Sequence, residues 1–426
     1  MKKILWFSNV SLASTCKETG SWLHSMSDAL IHENELALVN VTQDSSIQNI
    51  TKQTIGPHLT EYKLPKFKLR DGLPEPDKIS RIIEIVDSEG ADLIHIWGTE
   101  LYWGLLASRG YLKGNVLLEI QGLIVTCCKF FYGSLSIHQI LRCITEKEIR
   151  HPKRSLHYLK KRYGDWTKYE YEIIKHIPRI SVQSSWVKNY IQYINPDCEI
   201  YNSLISIREE FLKESWCKTP DQNKIVLTTI SSALPYKGLN DIIEALYIVK
   251  QSYPEIRLNI IGGIRTDSKS RRTSGFEKLV LKMIASYGLK ENINFCGSLS
   301  AQGLVDIYSK SDIFIQASHV ESYSLTLAEA MAYGIPTITT YSSAMTELGI
   351  DNHSVLFYSP GDYSMCAAKI CDLIRDPEKA KSLSENAMKI GKKRNDRQKA
   401  AHRQLETYQK ILAPNTCSDI QESRLR

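Results

Sequence analysis

Strand-like and helix-like stretches alternate along this chain, and the whole alternation occurs twice. Short apolar runs are followed by amphipathic stretches, a pattern typical of α/β domains with parallel sheets. In the first half the predicted strands are Ile4–Ser8, Leu36–Val41, Leu93–Trp97, Val116–Ile120 and Ile180–Gln183. In the second half they are Lys224–Ile230, Arg257–Ile261, Ile293–Cys296, Asp312–Gln316, Thr337–Thr340 and Val355–Phe357. The sequence therefore predicts an α/β protein with two Rossmann-like, doubly wound domains.

A polar segment around residues 205–222 separates the two halves, and a chain of 426 residues is long enough for two domains of ordinary size. We expect an N-terminal domain over residues 1–210 and a C-terminal domain over residues 211–390. A basic helix over residues 391–412 is expected to pack back towards the N-terminal domain, and residues 413–426 to form a tail.

The charge balance and the cysteine pattern indicate which classes of protein and which cellular compartment fit this chain. Lys and Arg number 54 against 47 Asp and Glu, a mild basic excess, and no nucleic-acid-binding module accompanies it. The ten cysteines form no CxxC pair, which favours a reduced, cytoplasmic protein over a secreted one. The apolar start is interrupted by Ser8, Asn9 and Ser11, so it is interpreted as a buried strand rather than a signal peptide.

The most specific motif is HVESYSLTLAEAMAYGIPTI, residues 319–338, in which seven residues separate Glu321 from Glu329. Glu321 falls in the loop after a predicted strand, and Glu329 falls in the helix that follows. Loop amides and a helix N-terminus together form an anion site, with a carboxylate on each side to hold sugar hydroxyls. Two other interpretations stay open: Thr326 and Glu329 fit a capping box, and Glu321 could be a solvated charge.

Two further loops follow predicted strands. Lys237 and Gly238 lie between a strand and a helix, where a lysine can reach a diphosphate as a point charge. Gly20 follows the first strand, where the absence of a side chain lets the backbone approach a phosphate. A surface lysine and an ordinary turn are the alternatives for these two features.

Together these features resemble the retaining nucleotide-sugar glycosyltransferases of glycosyltransferase family 4, which have the GT-B fold. The resemblance covers nearly the whole chain and is strongest to a bacterial polysaccharide-assembly branch. Further matching stretches are DLIHIWGTE (92–100), LEIQGLI (118–124), RRTSGFEK (271–278) and INFCGSLSAQGLVDIYSKSDIFIQAS (293–318).

The resemblance implies roles for individual residues. Glu329 would bind the ribose of a UDP-, GDP- or ADP-linked donor, and Glu321 would hold the transferred sugar. Lys237 would bind the diphosphate together with the backbone amides of Ser322, Tyr323, Ser324 and Leu325. Gly20 would let the N-terminal domain close onto the donor. The family usually needs neither a divalent metal nor a cofactor, so none is expected here.

Two positions depart from the family pattern. Ser232 stands where many members have an arginine, and Arg265, Arg271 or Arg272 could supply the missing charge. Gln121 stands where many members have a histidine that touches the donor sugar; it can donate a hydrogen bond but cannot take a proton near pH 7.

The acceptor side is expected at the strand ends of the N-terminal domain, where His95, Glu100 and Glu119 could orient a glycan or lipid-linked acceptor. His95, within LIHIW, equally fits a packed strand-end residue. Residues 142–162 contain eight Lys or Arg and two Glu, with Leu, Ile and Tyr interleaved. This segment could touch the anionic inner face of the cell membrane, or it could be a solvated helical face.

The sequence therefore predicts a retaining glycosyltransferase of surface polysaccharide synthesis, cytoplasmic and peripheral to the membrane. A nucleotide-sugar hydrolase or epimerase on the same fold is one alternative. An inactive sugar-nucleotide-binding subunit of a transferase complex is another, which Ser232 and Gln121 keep open.

Overall fold

The structure, a computed structural model, describes residues 1–13, 21–32, 36–217, 224–270 and 272–413. Over these ranges the chain forms two sheets, each flanked by helices. The predicted fold class is therefore confirmed, and the carboxyl ends of the parallel strands provide the edge at which a ligand site is expected.

The first sheet contains eight strands within the described residues, in the order β3-β4-β2-β1-β5-β6-β7-β8. They are β1 Lys2–Phe7, β2 Leu36–Asp44, β3 Thr51–Gly56, β4 Leu59–Pro65, β5 Leu93–Trp97, β6 Val116–Glu119, β7 Arg179–Val182 and β8 Glu199–Asn202. All neighbours are parallel except the β3–β4 hairpin. The strands β3, β4 and β8 were not predicted. Of these, β3 and β8 are polar strands without a buried residue, so their sequences carry little strand signal.

The second sheet contains six parallel strands within the described residues, in the order β11-β10-β9-β12-β13-β14. They are β9 Val226–Ile230, β10 Arg257–Ile261, β11 Ile293–Gly297, β12 Ile313–Gln316, β13 Thr337–Thr340 and β14 Leu356–Tyr358. Each corresponds to a predicted strand, and in all but the edge strand β11 most residues are buried, as expected for strands covered on both faces.

The helices connect these strands and cover both faces of the sheets. In the first half they are α1 Ser21–His32, α2 Pro76–Glu89, α3 Trp103–Ser108, α4 Ile124–Lys129, α5 Ile137–Arg142, α6 Glu146–Arg150, α7 Leu156–His176 and α8 Ser185–Ile194. In the second half they are α9 Glu210–Lys213, α10 Leu239–Lys250, α11 Gly275–Ser286, α12 Ala301–Tyr308, α13 Leu325–Tyr333, α14 Tyr363–Arg375, α15 Pro377–Arg394 and α16 Arg397–Leu412. Short 3₁₀ turns lie at Pro152–Arg154, Pro235–Lys237, Lys290–Asn292 and Ser343–Glu347.

The last basic stretch differs from the prediction of one helix over residues 391–412. Helix α15 ends at Arg394, and α16 begins at Arg397 with the Asp396 side chain accepting from the Lys399 amide at 2.9 Å. The break is held by Asn395, whose side chain donates to the Ile205 carbonyl at 2.9 Å. Helix α16 then packs against α1 and the first sheet, sharing a hydrophobic cluster with β1.

Residues 130–156, which we call the arm, leave the first domain and join the core of the second. Phe131, Leu135, Cys143 and Leu156 belong to the same buried cluster as the helices α10 and α11. The contact is close: a Cβ on Gly275, the first residue of α11, would lie 1.8 Å from the Cys143 carbonyl oxygen. The arm therefore ties the two domains together beside the cleft between them.

Candidate active site

A cavity of about 980 Å³ lies between the two domains. Its walls come from loops that follow strands of both sheets, as parallel-sheet topology requires. The C-terminal wall contains Lys237 and Glu321 together with residues 322–326, and the N-terminal wall contains Glu100, Gln121 and Gln183. The structure thus brings most of the predicted site residues to one place.

Lys237 and Glu321 form an ion pair on the C-terminal wall. The Lys237 Nζ donates to Glu321 Oε1 at 2.6 Å, and the two side chains are 28% and 15% exposed. Lys237 ends the 3₁₀ turn before α10, where Gly238 has a φ of +70°. A Cβ on Gly238 would lie 2.1 Å from the Ala317 carbonyl oxygen, so this approach of the lysine turn to the β12 loop requires glycine.

The loop before α13 lies on the same wall, and Ser322, Tyr323, Ser324 and Leu325 all line the cavity. Ser324 is the N-cap of α13 with a φ of +82°, and its hydroxyl accepts from the Leu327 amide. Gln316 holds this hydroxyl by donating to it at 2.8 Å. A residue other than glycine with a positive φ has a strained backbone, and the hydrogen bonds to the Ser324 side chain hold it in this conformation.

The capping-box interpretation of Thr326 and Glu329 is wrong, because Ser324 caps the helix and Thr326 donates its hydroxyl to Gln316 Oε1 at 3.1 Å. Glu329 instead pairs with Arg208. The Arg208 Nε and Nη2 donate to the two Glu329 oxygens at 2.7 and 2.6 Å, and the Glu329 side chain is 3% exposed.

Glu329 is not on the cavity wall, in contrast to Lys237 and Glu321. Its two oxygens are held by a bidentate guanidinium, so a ribose hydroxyl would have to use the remaining lone pairs. Sequence reasoning did not single out Arg208, which lies in the segment between the domains. The ribose-binding role of Glu329 stays a prediction.

Glu100 lies on the N-terminal wall, shortly after β5. Its carboxyl group folds over Gly98, whose φ is +90°, so that a Cβ there would lie 2.0 Å from Glu100 Oε2. Burial raises the pKa of Glu100 to about 7, and the negative charge of Glu170 acts in the same direction. Glu100 is therefore a cleft carboxyl group that titrates near neutral pH.

Glu170, on α7, lies beneath this wall and was not predicted. It is 1% exposed, and it accepts hydrogen bonds from the Ile124 and Val125 amides at 2.8 and 2.7 Å and from the Thr99 hydroxyl at 2.7 Å. These bonds fix the start of α4 and the loop that carries Glu100. Burial raises the pKa of Glu170 as well.

Two glutamines on the N-terminal wall have unused hydrogen-bonding groups. In the part of the chain that the structure describes, the buried Gln121 Nε2 and Gln183 Oε1 have no partner. The Gln183 amide donates its own hydrogen to Glu119. Since buried polar groups are normally paired, these two atoms indicate where a polar ligand would bind.

His95 does not reach the cavity, and its prediction as an acceptor contact is wrong. It is fully buried, its Nδ1 lies 2.8 Å from the Tyr408 hydroxyl, and its ring lies 4.0 Å from the Trp97 ring. Burial lowers the pKa of the His95 imidazole. The interpretation as a packed residue is the correct one, although His95 is the middle residue of β5, because Tyr408 of α16 packs onto it.

Gly20 and Arg271 lie outside the described residues. Arg265 and Arg272 do not line the cavity, and Ser232 carries a buried hydroxyl without a partner among the described residues. The structure thus supplies no cation from these two arginines at the position of Ser232.

Across the described ranges, no group of three or more His, Cys, Asp or Glu side chains could hold a metal ion. The expectation that no metal is needed stays a prediction.

Comparison with known proteins agrees with this geometry. Residues 212–390 match the family model described as Glycosyl transferases group 1. This match covers the C-terminal domain. The resemblance to glycosyltransferases with the GT-B fold is therefore confirmed. The retaining mechanism and the polysaccharide-assembly branch stay predictions.

Two curated relatives match parts of the chain. Mannosylfructose-phosphate synthase of Agrobacterium fabrum is 29% identical over 142 residues, which cover 33% of this chain and 30% of the relative. Alpha-monoglucosyldiacylglycerol synthase of Acholeplasma laidlawii is 23% identical, covering 55% of this chain and 63% of the relative. The matched regions thus span 30% and 63% of the lengths of these two relatives.

Solved structures match nearly the whole chain. Sucrose-phosphate synthase from Thermosynechococcus elongatus superposes with a TM-score of 0.73 at 15% identity, covering 96% of this chain and 99% of the other. Anabaena HepE in complex with UDP-glucose superposes with a TM-score of 0.64 at 13% identity, covering 96% and 100%. At this identity the likeness establishes the fold.

Proposed function

We propose that this chain is a retaining glycosyltransferase that moves a sugar from a nucleotide-sugar donor to a growing glycan or lipid-linked acceptor. The observation that carries the proposal is the pairing of Lys237 with Glu321 in a cavity between two Rossmann-like domains, beside the N-terminus of α13. The group 1 match over the C-terminal domain supports it. We infer surface polysaccharide synthesis as the pathway from the motif resemblance.

The proposed chemistry breaks the bond between the anomeric carbon and the diphosphate oxygen, which keeps the electron pair. The acceptor hydroxyl oxygen forms the new bond on the same face, and its proton passes to the departing phosphate. Negative charge grows on the diphosphate during this step, so Lys237 and the amides before α13 would stabilise the transition state more than the ground state.

The ion pair is compatible with donor binding. An ammonium group has three donors, so Lys237 can keep its 2.6 Å bond to Glu321 and still contact a phosphate oxygen. Glu321 would then face the transferred sugar, with its carboxylate oriented by the lysine. Gln121, with its unpaired amide nitrogen, is the proposed contact from the opposite wall.

Nucleotide release tests the proposal. The protein is incubated with UDP-, GDP- and ADP-sugars, with and without acceptor glycans and lipid-linked glycans. Lys237→Ala and Glu321→Ala should each lower acceptor-dependent release at least about tenfold, which corresponds to ~1.4 kcal/mol of transition-state stabilisation. Lys282→Ala, an exposed lysine on α11, is the matched control. Unchanged rates in both site variants would contradict the proposal. A rate of nucleotide release that is the same with and without acceptor would favour the hydrolase alternative.

We also propose that the segment 142–162 touches an anionic membrane surface. Ile144 and Ile149, 48% and 69% exposed, are interleaved with its basic residues, and Ile137 and Leu141 just before it are 76% and 57% exposed. Apolar side chains can enter the interface while each nearby cation adds on the order of 1 kcal/mol. None of the described helices is long and apolar enough to cross a membrane.

Co-sedimentation with vesicles tests this contact. Anionic vesicles should retain the protein, and the Lys153→Glu/Lys161→Glu variant should lose retention while Lys282→Glu keeps it. Equal retention by neutral and anionic vesicles would contradict the contact.

A further inference from the structure

The N-terminal wall of the cavity combines aromatic rings with hydrogen-bonding side chains. Trp166 and Tyr169 of α7 line it, with ring centres 5.2 Å apart at a steep angle. The Trp166 Nε1 donates to the Thr99 carbonyl at 2.8 Å, which anchors one edge of the indole beside Glu100. Farther along, Gln43 donates to the Tyr102 hydroxyl at 2.8 Å, and both of these residues line the cavity.

Glu100 is held in place on this wall by the backbone around it. Gly98 and Gly122 leave room for its carboxyl group, and a Cβ on Gly122 would lie 3.5 Å from Glu100 Oε1. Thr99 is anchored from below by Glu170. A carboxyl group held in this way by a residue that lines the cavity suits a ligand that presents a hydroxyl donor.

This wall and the Lys237–Glu321 pair line the same cavity, as does Cys127 of α4. A ligand on the N-terminal wall therefore lies beside the place where the donor sugar is proposed to react.

We infer that Glu100 binds the accepting hydroxyl of a sugar ring that packs against Trp166, so that the acceptor in this reaction is a carbohydrate. The inference rests on the proposed function. The negative face of an aromatic ring attracts the polarised C–H bonds of a sugar, and a carboxylate accepts from its hydroxyls. An acyl chain would instead favour a wall without the polar groups of Gln43, Glu100 and Gln183.

Simple methyl glycosides serve as probe acceptors. Methyl glucoside, galactoside, mannoside and N-acetylglucosaminide are tested at pH 8 with the donor that supports release, and diacylglycerol in phosphatidylcholine vesicles is the non-carbohydrate comparison. Glu100→Ala should raise the KM for the glycoside at least tenfold. Glu100→Gln, which keeps one acceptor oxygen, should raise it less. Trp166→Leu should raise the KM for the glycoside. Trp166→Tyr keeps an aromatic ring, so its KM should stay close to that of the wild type.

Binding measurements separate this inference from the proposed function. The affinity for the nucleoside diphosphate should stay within twofold in the Glu100 and Trp166 variants. Saturation-transfer NMR of the glycosides, with nucleoside diphosphate present, should show weaker contact in Glu100→Ala and Trp166→Leu without any need for turnover. Glu84→Gln and Tyr193→Leu, on exposed faces of α2 and α8, are matched controls, and circular dichroism checks folding.

The outcomes distinguish a failure of the proposed function from a failure of the inference about the acceptor. Absence of nucleotide release from every donor in the wild type contradicts the proposed function. Equal glycoside binding in wild type and Glu100→Ala contradicts the inference, as does turnover with diacylglycerol but with none of the glycosides.

Discussion

Replacing Glu100 by Gln should change how the stability of the protein depends on pH. Burial and the charge of Glu170 raise the pKa of Glu100 from 4.5 to about 7 in the folded state. A carboxyl group with a raised pKa holds its proton more tightly in the folded than in the unfolded chain. It therefore contributes stability below pH 4.5, and this contribution is lost as the pH rises through 7.

The size of the effect follows from the two pKa values. At ~1.4 kcal/mol for each pH unit, the difference between them corresponds to about 3 kcal/mol. Most of this, about 2–3 kcal/mol, is lost between roughly pH 5 and pH 8, since both forms are partly populated near each pKa. Glutamine has the same shape and does not ionise. The Glu100→Gln variant should therefore gain about 2–3 kcal/mol relative to the wild type over this interval.

Urea unfolding followed by tryptophan fluorescence measures this difference. Of the seven tryptophans, all but Trp216 lie within residues 1–210, so the signal reports on the domain that contains Glu100. Wild type, Glu100→Gln and the exposed control Glu84→Gln are compared at the two pH values. If wild type and Glu100→Gln lose stability in parallel as the pH rises, the burial of a titrating carboxyl group at this position is refuted.

Two other substitutions test the Arg208–Glu329 pair and the turn that carries Lys237. Arg208→Met should lower stability by about 3–5 kcal/mol because it leaves the buried Glu329 carboxylate unpaired, and the double variant with Glu329→Leu should recover most of the loss in thermal unfolding. If the double variant is as unstable as Arg208→Met alone, the result contradicts this pairing. Gly238→Ala should cost more than about 1 kcal/mol, because its methyl group would collide with the Ala317 carbonyl at a positive φ. Unaltered urea unfolding and nucleotide affinity in this variant would contradict the close approach.

Most of the predicted strands are short apolar runs whose residues are largely buried, and this pattern made them recognisable. The same reasoning missed β3 and β8, since their sequences TKQTIG and EIYN are mostly polar and exposed. Such edge strands are stabilised by backbone pairing with a neighbour, which leaves little trace in side-chain periodicity. The break between α15 and α16 was missed for a related reason: Asn395 ends the helix through a contact with Ile205, far away in the sequence.

The site was predictable where a residue follows its strand directly, as Lys237 and Glu321 do. It was not predictable where a role depends on a partner from another element. Glu170 reaches the amides of α4, and Arg208 reaches Glu329 over a separation of 121 residues. His95 shows the reverse case, since a residue expected at a strand end near the cleft lies within β5 and is covered by Tyr408 of the last helix.

The arm connects the first half of the chain to the loop that carries Glu321. Ser134 of the arm hydrogen-bonds to Asp241, and His319 Nε2 lies 2.9 Å from the other oxygen of the same carboxylate. His319 is two residues before Glu321, so a segment of the first half helps to position the glutamate loop of the second. Because Phe131 is also buried in the second core, opening the cleft at this side would expose apolar surface. The burial of the arm is therefore expected to oppose separation of the domains at this side of the cleft.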